Sequence, residues 1–206
     1  MTGVAIGSAI TGLRPILTHQ RLDFALVSID QIVNQGAKWH YMFNGKMSVP
    51  MIIRMIVGRG WGQGPQHSQS LQSWFAHVPG LNVVMPSCAY DAKGLLISAF
   101  KNNNPTIFIE NRWLHEVSGF VPENSYSLSL DKAKIKKTGI DITLIGISYT
   151  VLECLRTSEI LNNFDISCEV LDLVSARPLD VATIAISVSK TGRALIVEHA
   201  DEACSL

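Results

Sequence analysis

Apolar, β-rich runs alternate with helix-periodic stretches along most of the 206-residue chain. Residues 14–18 form a short strand candidate, and residues 50–57 (PMIIRMIV) a nearly continuous apolar strand. Between them, Phe24, Leu26, Val27, Ile29, Ile32, Val33 and Ala37 recur close to every 3.6 residues, which predicts one helix over 23–43 with a single buried face. Residues 71–76 fit a short helix, 82–85 a strand closed by Pro86, 89–100 a longer helix and 106–110 another strand. Strands that are apolar on both faces and separated by helices predict a parallel sheet covered on both sides.

A polar stretch with Ser and Pro, residues 117–130, breaks this pattern and reads as a linker. The alternation then resumes with a strand at 141–147, a helix at 150–161 and a strand at 167–173. Asp180 caps a helix running towards Lys190, and residues 193–198 form the last strand, giving three strands joined by right-handed crossovers. The expected division is an α/β domain over 1–117, a linker over 118–133 and a second, incomplete α/β domain over 134–206. The opening residues, with Thr2, Gly3, Ala5, Gly7, Ser8, Ala9 and Gly12, read as a helix whose small side chains permit close backbone packing.

Composition narrows the function class. The hydrophobic fraction is 47%, the charged fraction 17%, and 17 basic residues balance 17 acidic ones. Lys and Arg are scattered, so there is no electrostatic footprint for nucleic acid or an anionic membrane. The apolar N-terminal stretch is too short for a membrane span and lacks the basic flank of a signal peptide. Cys88, Cys154, Cys168 and Cys204 form no C-x-x-C pair, which argues against a zinc site or disulfide framework and for reduced thiols in a cytosol-like compartment.

Three segments could carry chemistry. In GRGWGQGPQHSQS (58–70), four alternate glycines follow a buried strand, where open α/β sheets place their ligand crevices. The glycines fit neither a P-loop nor a dinucleotide fingerprint, so a phosphate cradle is not supported. His67, just before a helix, is a candidate acid or base; the alternative is a hydrogen-bonded histidine in a glycine-rich turn. In THQRLDF (18–24), Phe24 is a candidate stacking platform for a flat heterocycle, or else a core residue with polar caps around it. In ENRWLH (110–115), Arg112 could meet a carboxylate with its planar fork, or serve as an interface or salt-bridge arginine. Trp39, His40 and Tyr41 read as packing.

Taken in order, GVAIGSAITGLRPI (3–16), DQIVNQGAKWHYMF (30–43), QHSQS (66–70), FAHVPGLNVVMPS (75–87), DAKGLLISAFKNNNP (91–105), SCEVLDLVSARPLD (167–180) and KTGRALIVEH (190–199) resemble one family over essentially the whole chain. It is the beta subunit of the thiamine-diphosphate-dependent decarboxylating component of 2-oxo acid dehydrogenases, of pyruvate, branched-chain and acetoin type. The resemblance implies a parallel-sheet pyrimidine-binding domain followed by a transketolase C-terminal-like domain. It also implies a heterotetramer of two alpha and two beta subunits, serving a lipoyl-bearing acyltransferase core. In that family the alpha subunit holds the diphosphate and Mg²⁺, and the beta subunit grips the aminopyrimidine. This chain carries no Gly-Asp-Gly…Asn metal–diphosphate motif, consistent with that division.

By the same resemblance, Phe24 packs on the aminopyrimidine with Gln20 beside it, and His67 handles protons around the reacting centre. Backbone oxygens near Ala99, Asn102 and Asn104 match a loop that binds structural K⁺ in some members, with Asn102 standing where relatives often carry Asp. The family's pyrimidine-activating glutamate aligns just upstream of residue 1, and its second domain continues past Leu206. The expectation is therefore a chain cut short at both ends and inactive alone. The family's setting implies the cytoplasm, or the mitochondrial matrix in a eukaryote. Two rivals share parts of this pattern: the C-terminal half of a single-chain transketolase or deoxyxylulose-phosphate synthase, and an inactive fragment that only binds a partner subunit.

Overall fold

The computed structural model describes residues 1–205. Helix α1 (Thr2–Ile10) leads into strand β1 (Ile16–His19) and a short helix α2 (Leu22–Ala25). After α3 (Trp39–Met42), strand β2 (Ile52–Val57) is followed by α4 (Gln72–Ala76), β3 (Asn82–Val84), α5 (Ala89–Lys101) and β4 (Thr106–Asn111). The second half contains β5 (Lys134–Lys137), β6 (Ile142–Gly146), α6 (Tyr149–Asn162), β7 (Cys168–Asp172), β8 (Ser175–Arg177), α7 (Val181–Thr191) and β9 (Ala194–Val197).

Two sheets result, in the orders β1-β2-β4-β3-β8 and β5-β7-β6-β9. Strands β1, β2, β4 and β3 are mutually parallel, as are β7, β6 and β9. The central strands β2 and β4 bury almost every side chain, including Ile52, Ile53, Met55, Ile107, Phe108 and Ile109. Such double-faced burial requires helices on both sides, and the apolar runs in the sequence reflect it.

Three features differ from the sequence reading. The single helix expected over 23–43 is broken into α2, a 3₁₀ turn (Leu26–Ser28), a π-helical segment (Gln31–Gly36) and α3. The wider π turn, in which Ala37 N donates to Ile32 O at 2.9 Å, lets Ile32 and Ala37 both face the core although they are five residues apart. Val27, which the 3.6-residue period places on the buried face, is 92% exposed.

The other two differences are antiparallel edge strands. β5 is the polar sequence KIKK, within a stretch that has no apolar alternation, and it pairs antiparallel with β7. β8 leaves the second half of the chain to pair antiparallel with β3, where Met85 N donates to Val174 O at 2.8 Å. The polar stretch between the halves has no helix or strand from 115 to 133, but it is packed: Leu128 and Leu130 lie against the cluster of Leu95, Ala99 and Phe108. A Cβ on Gly94 of α5 would come within 2.6 Å of Leu128, so this helix has no room for a side chain there.

Charged groups also bridge the halves. Asp91 on α5 accepts from Lys134 and, at 2.6 Å, from Lys136, and Lys136 lies 3.3 Å from Asp172 at the end of β7. Ser87 Oγ donates to Asp172 Oδ2 at 2.6 Å. Burial alone would push the Asp91 carboxyl up, but the two ammonium groups hold it below the usual carboxylate range. Asp172, more deeply enclosed, is pushed up by burial against the pull of Lys136 and Ser87.

Candidate active site

The parallel strands β1, β2, β4 and β3 end at His19, Val57, Asn111 and Val84, so their carboxyl ends share one edge of the sheet. This is the edge where open α/β sheets bind ligands, because the connecting loops leave a crevice there. Two loops meet on it: the turn after β1 that opens α2, and the glycine-rich segment after β2. Gly60, Gly62 and Gly64 all have φ near +70 to +75°, a region that side-chain-bearing residues rarely adopt, and the loop turns back on itself through them.

Phe24 on α2 and His67 in the 3₁₀ turn Pro65–His67 meet edge to face, with ring centroids 5.3 Å apart and planes at 89°. Phe24 is 48% exposed, although its helical neighbours Leu22 and Ala25 are fully buried. Among the described residues the imidazole of His67 makes no hydrogen bond, so both ring nitrogens remain for a ligand. Gln20 is exposed in the bend between β1 and α2, with no side-chain hydrogen bond among the described residues.

Contacts between the two loops hold this shelf together. Buried Asp23 accepts from Gln69 Nε2 at 2.8 Å and from Gln69 N at 3.3 Å, and Arg21 Nη2 donates to Gln63 Oε1. Three atoms at the end of β1 are buried with no hydrogen-bond partner among the described residues: His19 Nε2, Arg21 Nη1 and Asp23 Oδ2. Burial, reinforced by the positive N-terminus, holds the His19 imidazole below its usual range. The roles of Arg21 and Asp23 were not legible in the sequence, because their burial appears only once residues 63–69 fold over them.

Arg112 follows β4 and lies 5.1 Å over the ring of Trp61, which itself meets Trp113 at 4.4 Å. The ENRWLH segment thus joins the glycine-rich loop on the same edge. Glu110 forms a bidentate pair with Arg54, at 2.5 and 2.7 Å, and faces His115 at 3.3 Å. Trp39 packs on Phe43 at 4.9 Å, a packing contact as its position suggests.

The shelf fits a flat heterocycle. It offers an exposed aromatic face, an imidazole beside it whose nitrogens are uncommitted, and a glycine loop where a Cβ on Gly60, Gly62 or Gly64 would meet nothing within 4 Å. The loop of Ala99, Asn102 and Asn104 lies elsewhere. Asn102 O already accepts from Arg14 Nη1 at 2.8 Å, and Ala99 O from Asn102 N at 3.2 Å. The Asn102 side chain accepts from Asn104 N at 2.8 Å. A K⁺ ion would have to share these oxygens with donors already in place. A hollow of about 610 Å³ is an apolar groove lined in part by Ile29, Val33, Trp74 and His77, and none of its lining residues belongs to the shelf. Among the described residues, no helix is long and apolar enough to cross a membrane.

The family described as "Transketolase, pyrimidine binding domain" matches residues 1–116, and "Transketolase, C-terminal domain" matches residues 131–206. The chain is 42% identical over 204 residues to the beta subunit of acetoin:2,6-dichlorophenolindophenol oxidoreductase from Cupriavidus necator, covering 99% of this chain and 60% of that protein. It is 43% identical over 202 residues to the mitochondrial pyruvate dehydrogenase E1 component subunit beta-2 of Oryza sativa, covering 96% of this chain and 54% of that one. The chain therefore spans little more than half the length of these relatives. A solved "split gene transketolase, inactive beta4 tetramer" superposes with a TM-score of 0.80 at 18% identity, covering 96% of this chain and 61% of that one, a likeness of fold. The chain belongs to the transketolase pyrimidine-binding domain family.

Proposed function

We propose that the chain is the beta subunit of a thiamine-diphosphate-dependent 2-oxo acid dehydrogenase of pyruvate or acetoin type, and contributes the aminopyrimidine side of the cofactor site. The observation that carries this reading is the Phe24–His67 pair, with rings 5.3 Å apart on the exposed shelf at the carboxyl end of the parallel sheet. The similarity to named beta subunits over nearly the whole chain supports it independently.

In this reading the cofactor, when bound, supplies the electron sink that decarboxylation of a 2-oxo acid needs. Phe24 would pack on its pyrimidine ring, and Gln20 lies at the same strand end. His67, with both nitrogens uncommitted, would hold or move a proton on whatever group faces it. The Asp23–Gln69 and Arg21–Gln63 contacts keep the two loops in register so that both rings stay in place. An alpha subunit would supply the diphosphate and Mg²⁺ ligands in a heterotetramer, and a lipoyl-bearing acyltransferase would accept the product.

The test is reduction of a dye acceptor on adding pyruvate or acetoin to the chain together with its alpha partner, thiamine diphosphate and Mg²⁺. The reading expects turnover with the partner present that falls when His67 is replaced by alanine. Turnover unchanged by that replacement would contradict it.

A further inference from the structure

The glycine-rich loop that leads to His67 is open to solvent along most of its length, and Gly60, Gly62 and Gly64 give its backbone wide conformational freedom. A side chain that must meet a reacting atom has to be held to within a fraction of an ångström, which such a loop does not achieve unaided. Beyond His67 the segment is tied to α2, where Gln69 donates to Asp23 at 2.8 Å. The flank before His67 needs an anchor of its own.

A closed circuit of contacts supplies it. Trp113 Nε1 donates to Arg59 O at 3.0 Å. The Trp113 ring faces that of Tyr149, at the start of α6, with centroids 6.5 Å apart. Tyr149 in turn lies 5.6 Å from the His199 ring, and His199 O accepts from Arg59 Nη1 at 2.9 Å. The circuit so returns to Arg59, having crossed from the first sheet to the second. Its corners are anchored in turn: Trp113 N donates to Asn111 Oδ1 at 3.0 Å, at the end of β4, and His199 Nε2 lies 3.5 Å from Glu153 Oε2 on α6. From within the loop, the Trp61 ring packs on Trp113 at 4.4 Å.

We infer that Trp113 is a positioning residue for His67: its indole N–H, with Tyr149 and His199 of the second half behind it, fixes the glycine-rich loop and through it the imidazole. This inference rests on the function proposed for the shelf. Trp113 itself touches neither substrate nor cofactor in this role. Without the indole donor, Arg59 O turns to water and the open states of the loop gain population. The imidazole then spends less time where a proton can pass to or from it, while the ring of Phe24, on the other loop, is undisturbed.

Trp113→Phe keeps an aromatic ring in the circuit and removes the donor. In the full chain without cofactor, trypsin cuts after Arg59 only once that side chain leaves His199 O and the loop opens. Trp113→Phe should speed this cut by about three- to tenfold, with cleavage after the exposed Lys46 and the melting temperature as in the parent. In the chain assembled with its alpha partner, thiamine diphosphate and Mg²⁺, it should lower kcat by about tenfold or more, with KM for pyruvate or acetoin within about twofold. Made on top of His67→Ala it should lower kcat no further, because nothing is left to position. Should Trp113→Phe lose the circular dichroism of the parent, Tyr149→Leu breaks the circuit from the second half and carries the same tests, with changes in the same direction. Cleavage after Arg59 at the parent rate overturns the anchoring. Faster cleavage with kcat unchanged overturns the positioning role, and so does a full loss of kcat from Trp113→Phe in the His67→Ala background. A parent chain that turns over nothing with its partner removes the function proposed for the shelf and the positioning role with it; the cleavage rates, read without partner or cofactor, are independent of that failure.

Discussion

Lys136, on the edge strand of the second sheet, donates to Asp91, on the long helix of the first half, at 2.6 Å. The same ammonium lies 3.3 Å from fully buried Asp172, so one side chain contacts two enclosed carboxylates, the first of which Lys134 also pairs. Breaking a buried pair from one side leaves the other charge uncompensated, at a cost of about 3–5 kcal/mol. Lys136→Met should lower the stability of the chain by that order in urea melts followed by circular dichroism. A loss of less than about 1 kcal/mol would show the cluster to be solvated.

The cluster also sets a pH dependence. Burial alone would lower the Lys136 pKa, but Asp172 and Asp91 raise it above the ordinary lysine value. The stability it contributes is then fully present below the unfolded value of about 10.4 and is lost as pH rises through the folded one. Asp91, held low, contributes stability above about pH 3.9 that is lost as pH falls through its depressed pKa. Asp172, held high, opposes folding once ionised. The melting temperature of the parent should drop as pH rises above about 10, and that of Lys136→Met should drop less. Lys136→Met should instead gain stability from neutral towards mildly acid pH as Asp172 takes up a proton; parallel curves for the two proteins would refute this assignment.

His67 and Phe24 should separate kinetically in the protein assembled with its partner. In its proposed role His67 acts on the reaction, so His67→Ala should lower kcat by about 10²–10⁴-fold with little change in cofactor affinity. Phe24→Ala removes ring packing and should weaken cofactor binding by about 1–3 kcal/mol. If His67→Ala keeps kcat within about threefold and weakens cofactor binding, the histidine is structural.

Gly80 has φ +99°, and a Cβ on it would come within 2.1 Å of Ala37 O at the end of the π-helical segment. Gly80→Ala should cost about 2–4 kcal/mol, from backbone strain and a clash that backbone atoms must relieve. Gly7, within α1, is the control: nothing lies within 4 Å of its would-be Cβ, so Gly7→Ala should be neutral or stabilise by about 0.5–1 kcal/mol. Equal melting temperatures for Gly80→Ala and the parent would mean that this turn is looser than described.

The parallel strands were legible because burial on both faces forces near-continuous apolar runs, as in PMIIRMIV and TIFIEN. Strands β5 and β8 were not, since KIKK and SAR lie at sheet edges and the lysines of β5 serve the Asp91–Asp172 cluster instead of the core. The helix expected at 23–43 is interrupted by a 3₁₀ turn and a π turn that shift the phase, so Ile32 and Ala37 face the core while Phe24 and Val27 are exposed. Phe24 and His67 stand in separate candidate segments of the sequence, and the fold brings them into contact. Arg21 looked like one polar residue among several, because its burial is a property of the folded loops.

The chain is proposed to hold one side of a thiamine diphosphate site, and a partner subunit the other. Calorimetric titration of thiamine diphosphate with Mg²⁺ into the chain alone, and into the chain mixed with its alpha partner, tests it directly. The expected result is no tight binding to the chain alone and saturable binding once the partner is present, lost again in Phe24→Ala. Micromolar binding by the chain alone, or binding to the complex that Phe24→Ala leaves unchanged, would contradict it.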